Sequence, residues 1–214
     1  MPKLSDLSRR ILLVYLVICS SAGSLIGQTQ TEKKSKSHGQ TVDGNKEGVW
    51  TFFYPDGQKM AEEHYSAGEL EGWATAYYPG GKLMSKEFWK KDLQEDSAWY
   101  FHSNGRLHRK GRYTAGAYTG NWQTFDSLGR LVQSGFYQDG LPGGLFRNWF
   151  PNGNLQEVGT YASGKKEGQF IFYDEQKSGQ IRLLANYHND LPDGIWVYLT
   201  KSGKLDRLED KRAP

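Results

Sequence analysis

The stretch GLPGGLFRNWFPNGNLQEVGTY, residues 140–161, decides the fold. It reads as one β-hairpin with its connection: a glycine-marked loop, a short aromatic strand, the turn Pro151-Asn152-Gly153, and a second strand ending at Tyr161. Proline presets the φ of the first turn position and asparagine tolerates the bridge region. Glycine then takes the positive φ that closes a three-residue hairpin loop with a bulge. The first strand, LFRNWF, has the aromatic content that suits a pleated, half-buried surface.

Moved along the chain, this stretch meets copies of itself. Turn glycines recur at Gly57, Gly81, Gly105, Gly129 and Gly153, each 24 residues after the last, then at Gly179 and Gly203 after one two-residue insertion. A second series runs Gly48, Gly72, Gly120, Gly144, Gly168 and Gly194, with Asp96 in the missing place; a third is Tyr65, Trp89, Tyr113, Tyr137, Tyr161 and Tyr187. Three series with one period and one shared insertion define seven copies, starting near Gly44, Gly68, Asp92, Gly116, Gly140, Gly164 and Asp190. The second strand of a copy begins at Leu83, Leu107, Leu131, Leu155, Ile181 or Leu205, and in the first five of these it ends six residues later at the aromatic. That even spacing predicts both on one face. Gly111, Gly135 and Gly159, two residues before the terminal tyrosine, predict cover from an aromatic on the adjoining strand. Phe53, Tyr77, Phe101, Phe125, Trp149 and Tyr173 occupy one parity of the first strand, and Trp50, Trp122, Phe146, Phe170 and Trp196 the other. Either a bulge switches the parity or both faces carry aromatics.

The shared pattern, G-x-x-x-G-x-W-x-x-Y-Y-P-N-G-x-L-x-x-x-G-x-Y, resembles the bacterial variant of the MORN repeat, as found in YwqK-type antitoxin proteins and secreted relatives. The resemblance covers Gly44 to Leu208. It implies an all-β fold, an elongated single antiparallel sheet of about seven tandem 24-residue β-hairpin repeats. Up to 14 strands at about 4.8 Å each would span roughly 65 Å, with stability nearly a sum over copies. Copy three departs from the pattern, since Asp92 and Asp96 replace both loop glycines, which puts the regularity of residues 92–110 in doubt. Copies four and six lack the turn proline.

The flanks divide the chain further. Lys3, Arg9 and Arg10 precede an unbroken apolar run, Ile11 to Ile18, and then small residues, so residues 1–27 have the layout of a secretory signal peptide cut after Ser24 or Gly27. A retained anchor is the rival reading, but the apolar run falls short of the roughly 18–20 residues a spanning helix needs. Residues 28–43 are polar and read as a flexible linker, 44–209 as the repeat domain, and 210–214 as a charged tail that protects a sheet edge. The single cysteine, Cys19, falls inside the signal, so the mature part has neither disulfide nor thiol chemistry. The chain's net charge of +3 drops to about +1 without the signal, too little for a nucleic-acid binder.

No residue is marked as catalytic, and no cofactor or metal site is expected. The loop carboxylates Glu69, Glu71, Glu95, Asp96, Glu167 and Asp193 recur about once per copy, as solvated loops do, and no pair is set apart for acid–base work. His102 and His108 flank the turn Ser103-Asn104-Gly105 without a recognised metal-ligand spacing. Arg106, His108, Arg109, Lys110 and Arg112 form the densest basic run, which alternation along a strand would turn into a stripe. Trp73 and Trp99 each stand one position off the Trp50 series and are the expected exposed, ligand-facing aromatics. The candidate binding residues are therefore Trp73, Trp99, His102, Arg106, His108 and Arg109. The reading is an exported, non-enzymatic protein of the periplasm, envelope or cell exterior, with no transmembrane domain once the signal is removed and a protein partner. The alternatives are a glycan or cell-wall polymer as ligand, or an antitoxin-type role.

Overall fold

The structure, a computed structural model, describes residues 36–212; the expected signal peptide and the first part of the expected linker lie outside the described residues. Fifteen strands follow one another: β1 (Ser37–Val42), β2 (Asn45–Phe53), β3 (Lys59–Ser66), β4 (Glu69–Tyr77), β5 (Leu83–Lys90), β6 (Leu93–Phe101), β7 (Leu107–Thr114), β8 (Ala117–Phe125), β9 (Leu131–Gln138), β10 (Leu141–Trp149), β11 (Leu155–Ala162), β12 (Lys165–Tyr173), β13 (Ile181–His188), β14 (Leu191–Leu199) and β15 (Leu205–Asp210). They form one open antiparallel sheet in which each strand pairs only with its neighbours in the chain.

Two kinds of turn alternate along it. On one side lie the three-residue turns the sequence predicts: Tyr54 N donates to Gln58 O at 2.8 Å and Gly57 N to Tyr54 O at 2.9 Å, with Gly57 at φ +92°. On the other side, two-residue turns such as Ala67-Gly68 and Ala115-Gly116 have positive φ at both residues. That is the I′ geometry whose twist matches paired strands. Copy three keeps it: Lys91 and Asp92 take φ 49° and 63°, and Asp96 takes 56°. Aspartate tolerates this region because its short side chain bonds locally, and here Asp92 Oδ1 accepts the Leu70 N–H at 2.8 Å.

Directly opposed residues of neighbouring strands share a face, so the registers define two. One row runs across the packed face through Trp50, Glu63, Ala74, Glu87, Ala98 and Gly111. It continues through Trp122, Gly135, Phe146 and Gly159 to Phe170, Ala185, Trp196 and Glu209. Trp122, Phe146 and Phe170 each lie down over the glycine of the strand before them. A Cβ added at Gly111 would stand 2.2 Å from Trp122, at Gly135 2.1 Å from Phe146, and at Gly159 2.3 Å from Phe170. This is the cover that Gly111, Gly135 and Gly159 were expected to need, and it explains why a costly strand glycine recurs. The second row of the packed face holds the terminal aromatics, with Tyr65 opposite Gly48 and Trp89 opposite Gly72. Trp73, Thr75 and Tyr77 alternate with Ala74 and Ala76 and belong to the other, open face. Both faces therefore carry aromatics.

Three expectations need correction. The linker does not extend to residue 43, because Ser37–Val42 is a strand, β1, paired with β2. It is a half copy: Gly39 lies under Trp50, 2.4 Å from its ring if given a Cβ, and Trp50 Nε1 donates to Gln40 O at 2.9 Å as Trp122 Nε1 does to Arg112 O at 3.0 Å. The last strand also reaches Asp210, one residue into the expected tail. Finally, Leu83 and Trp89 do not share a face. Tyr77 opposes Leu83 and Ala76 opposes Ser85, so a bulge inserts one residue and moves Leu83 to the open face. The same shift recurs at Leu107, Leu131, Leu155 and Ile181.

Candidate functional site

The row on the packed face changes character in the first copies. Ala74 and Ala98 occupy aromatic positions, and the residues before them, Glu63 and Glu87, occupy glycine positions. A large side chain has moved from one strand to its neighbour, so the filled volume is kept while two carboxylates become buried, at 1% and 3% exposure. Each is held by neutral donors. Tyr65 OH donates to Glu63, and Lys46 Nζ donates to Tyr65 OH at 3.1 Å. Gln94 Nε2 donates to Glu87 Oε1 at 2.7 Å, and Tyr100 OH donates to the same oxygen while sharing a 2.9 Å bond with Tyr113 OH. Burial raises the Glu63 pKa, outweighing the Tyr65 hydrogen bond and the attraction of Lys46. Burial likewise lowers Lys46 and pushes Tyr100 and Tyr113 well above the phenol range. The indole Nε1 of Trp89, beside Glu87 on this face, has no hydrogen-bond partner among the described residues.

The same substitutions shape the open face. Where the packed position became alanine, a tryptophan appears one residue earlier as Trp73 and one residue later as Trp99. Their ring centroids are 5.8 Å apart, and Phe88 meets Trp73 edge-on at 5.2 Å. Lys86 Nζ lies 4.6 Å from the Trp73 ring, and Trp99 is opposed by Lys86 on one side and Lys110 on the other. Trp73 remains 36% exposed. Lys59 is paired with Glu62 at 2.8 Å and Arg112 with Asp96 at 3.0 Å. Lys86 and Lys110 form no ion pair among the described residues.

Of the residues expected to bind, Trp73 and Trp99 come together, and the others do not join them. Arg109 opposes Tyr100 and sits on the packed face, its guanidinium 4.6 Å from the Tyr100 ring and 5.2 Å from that of Trp122. The basic run is thus split between faces. Lys110 and Arg112 oppose Trp99 and Ser97 on the open face, while Arg106 bonds the Leu128 carbonyl along the turn side. The rings of His102 and His108 meet at 4.4 Å, tilted by 45°, and His102 Nε2 meets Phe125 O at 2.9 Å, in the place of the Tyr54 and Tyr78 hydroxyls that bond the next copy. Burial, His102 and Arg109 lower the His108 pKa. Among the described residues no three metal-ligating side chains gather.

Sequence reasoning missed two sets of residues. Glu63 and Glu87 carried a readable signal, since each stands 24 or 48 residues before Gly111, just where the following aromatic is lost. The loop carboxylates are more than a solvated fringe: Glu47, Glu71 and Glu95 accept the backbone N–H of Ala67, Lys91 and Ala115 at 2.8, 3.0 and 2.8 Å, and Glu167 that of Asn189 at 3.0 Å. Each caps the tight turn of the copy that follows.

This architecture defines a tandem β-hairpin repeat protein built as one open sheet. Residues 46–67, 70–91 and 142–163 match the family model of the MORN repeat variant, and the chain carries repeats of that family. No curated protein sequence matches it. Among solved structures it is similar to TarM, at 15% identity and a TM-score of 0.20 over 76% of this chain and 25% of that one. It is also similar to the GtfA/B complex bound to UDP and GlcNAc, at 12% and 0.20 over 74% and 25%, and to the TcdB2-TccC3-Cdc42 complex, at 14% and 0.17 over 79% and 13%. The chain spans about a quarter of the length of the first two. Similarities of this size carry no argument about its activity.

Proposed function

We propose that the chain is an exported, non-enzymatic repeat protein whose sheet is an interaction surface for a protein partner, centred on Trp73 and Trp99. The observation that carries this reading is the meeting of these two displaced indoles beside Lys86 and Lys110 on the open face. Rigid aromatics give large contact area at small entropic cost, and tryptophans of this kind dominate interface energetics. The two cations without ion pairs match an acidic, aromatic-containing segment of the partner. Export rests on the layout of residues 1–27.

The test is a pull-down from envelope extract with the mature chain, repeated with Trp73→Ala and Trp99→Ala. Each substitution should weaken capture of one defined partner by about 10- to 100-fold and leave the melting temperature within a few degrees, since both side chains lie on the open face. Binding to peptidoglycan or another glycan with no protein captured, and its loss in the same variants, would replace the protein partner with a polymer. Fractionation of the full-length chain into the inner membrane would overturn cleavage of the signal.

A further inference from the structure

On the packed face the chain supplies cations to its own aromatic clusters. In copy one, Lys46 Nζ lies 4.9, 4.6 and 4.3 Å from the rings of Trp50, Phe52 and Tyr65. In copy six the equivalent Lys166 lies 4.7, 5.8 and 4.9 Å from Phe170, Phe172 and Tyr187. Copy four has Tyr118 at this position, its ring tilted against that of Trp122 at 4.2 Å, with Arg109 over both rings. In copy seven Lys211 covers Trp196 at 5.4 Å and Arg207 covers Tyr198 at 3.7 Å. Copies two and three have Ala74 and Ala98 in place of the central aromatic and thus form no such cluster.

Copy five differs from all of these. Tyr137, Phe146 and Tyr161 form the cluster, with centroid distances of 5.3 and 4.8 Å, but Pro142 stands where Lys46 and Lys166 stand. Relative to Phe146, Glu157 occupies the position that Arg207 has relative to Trp196, so the charge there is inverted, and Gln133 stands where copy four has Arg109. Glu157 accepts a hydrogen bond from Asn148 Nδ2 and has no basic partner among the described residues. Phe146 retains 7% exposure, against 1% for Phe170 beneath Lys166. Aromatic rings attract a cation held over their faces, and a nearby carboxylate adds to that attraction.

We propose that the copy-five cluster of Tyr137, Phe146 and Tyr161, with Glu157 beside it, binds an alkylammonium group supplied from outside the chain. The ammonium takes the place over Phe146 and Tyr161 that Lys46 fills over Trp50 and Tyr65 and Lys166 over Phe170 and Tyr187; Asn148 stands where Phe52 and Phe172 complete those clusters, and Tyr137 flanks Phe146 from the other side. This site lies on the face opposite Trp73 and Trp99, so it stands or falls separately from the interaction surface proposed there.

The test is aromatic ¹H–¹³C NMR of the protein titrated with n-butylammonium and, separately, with the peptide acetyl-Gly-Lys-Gly-amide. Shifts at Tyr137, Phe146 and Tyr161 with either probe support the site, and the tighter probe tells a free amine from a peptide-borne lysine. Pro142→Lys should weaken the response by about tenfold or more, because the chain then fills its own site. Lys166→Ala should add a second set of shifts at Phe170 and Tyr187. The proposal is overturned if neither probe shifts the copy-five rings, or if Pro142→Lys responds as the unaltered protein does.

Discussion

Glu63 is a carboxylate in a position that holds glycine at Gly39, Gly111, Gly135 and Gly159 and alanine at Ala185, and its environment decides its charge. Burial raises its pKa above the usual 4.5, while Tyr65 and Lys46 only partly offset the effect. A carboxyl raised in the folded state stabilises fully below its unfolded pKa, and that contribution is lost as pH rises through the folded value. Each pH unit by which it is raised costs about 1.4 kcal/mol once the group is forced to ionise. For a chain of this size that is about 2–4 °C of melting temperature per kcal/mol. Glu63→Gln removes the ionisation and keeps the shape, so its melting temperature should fall less than that of the unaltered protein as pH rises from about 4.5 toward neutrality. Thermal melts across that range check it, and parallel curves would show that Glu63 titrates normally. At this scale the periodicity carries part of the signal. The loss of the aromatic at Ala74 and Ala98 is visible in the periodicity, but the compensating glutamate one strand earlier makes sense only once Glu63 opposes Ala74 and Glu87 opposes Ala98.

At the scale of the strand pair, the exchange of volume between neighbours is itself testable. Gly135 carries Phe146 and Gly159 carries Phe170, whereas Glu63 is followed by Ala74. Ala74→Phe alone would crowd Glu63, and overpacking of this sort costs about 1–3 kcal/mol. Glu63→Gly alone empties the site and leaves Tyr65 OH without this acceptor. Made together, the two changes restore the arrangement of copies five and six, so urea melts should give a coupling energy of about 1–2 kcal/mol in favour of the double variant. Strict additivity would refute the exchange. The tight turns offer a second case: Glu71→Ala removes the acceptor for the Lys91 N–H and should cost about 1 kcal/mol, read from the same melts. The turns themselves were legible because proline, asparagine and glycine act locally. The glutamate caps and the bulge at Leu83 were not, since both depend on which residue of another strand stands opposite.

Across the whole sheet, strands pair only in chain order, and the side chains that join copies act over one period. Tyr54 OH donates to Tyr77 O at 2.6 Å, Tyr78 OH to Phe101 O at 2.8 Å, and Asn104 Nδ2 to Ser127 O at 2.7 Å. Such an array is held by nearest-neighbour terms, so it should tolerate the loss of one whole period and nothing else. Removal of residues 140–163 joins Asp139 to Gly164, which restores the two-residue turn and brings Phe170 over Gly135 in place of Phe146. Every remaining strand keeps its direction and its face. Circular dichroism per residue should be unchanged, and the urea m-value should drop by about one seventh, in line with the surface removed. The copy-five cluster goes with the deletion, and Lys166 then lies beside Tyr137, so the alkylammonium response should vanish while the Trp73–Trp99 face is untouched. Removal of residues 140–151 is the matched control, because half a period deletes one strand and reverses the direction of all that follow. The half-period chain should lose cooperative unfolding where the full-period chain keeps it, and equal melts for the two would show that the period is not the unit of stability.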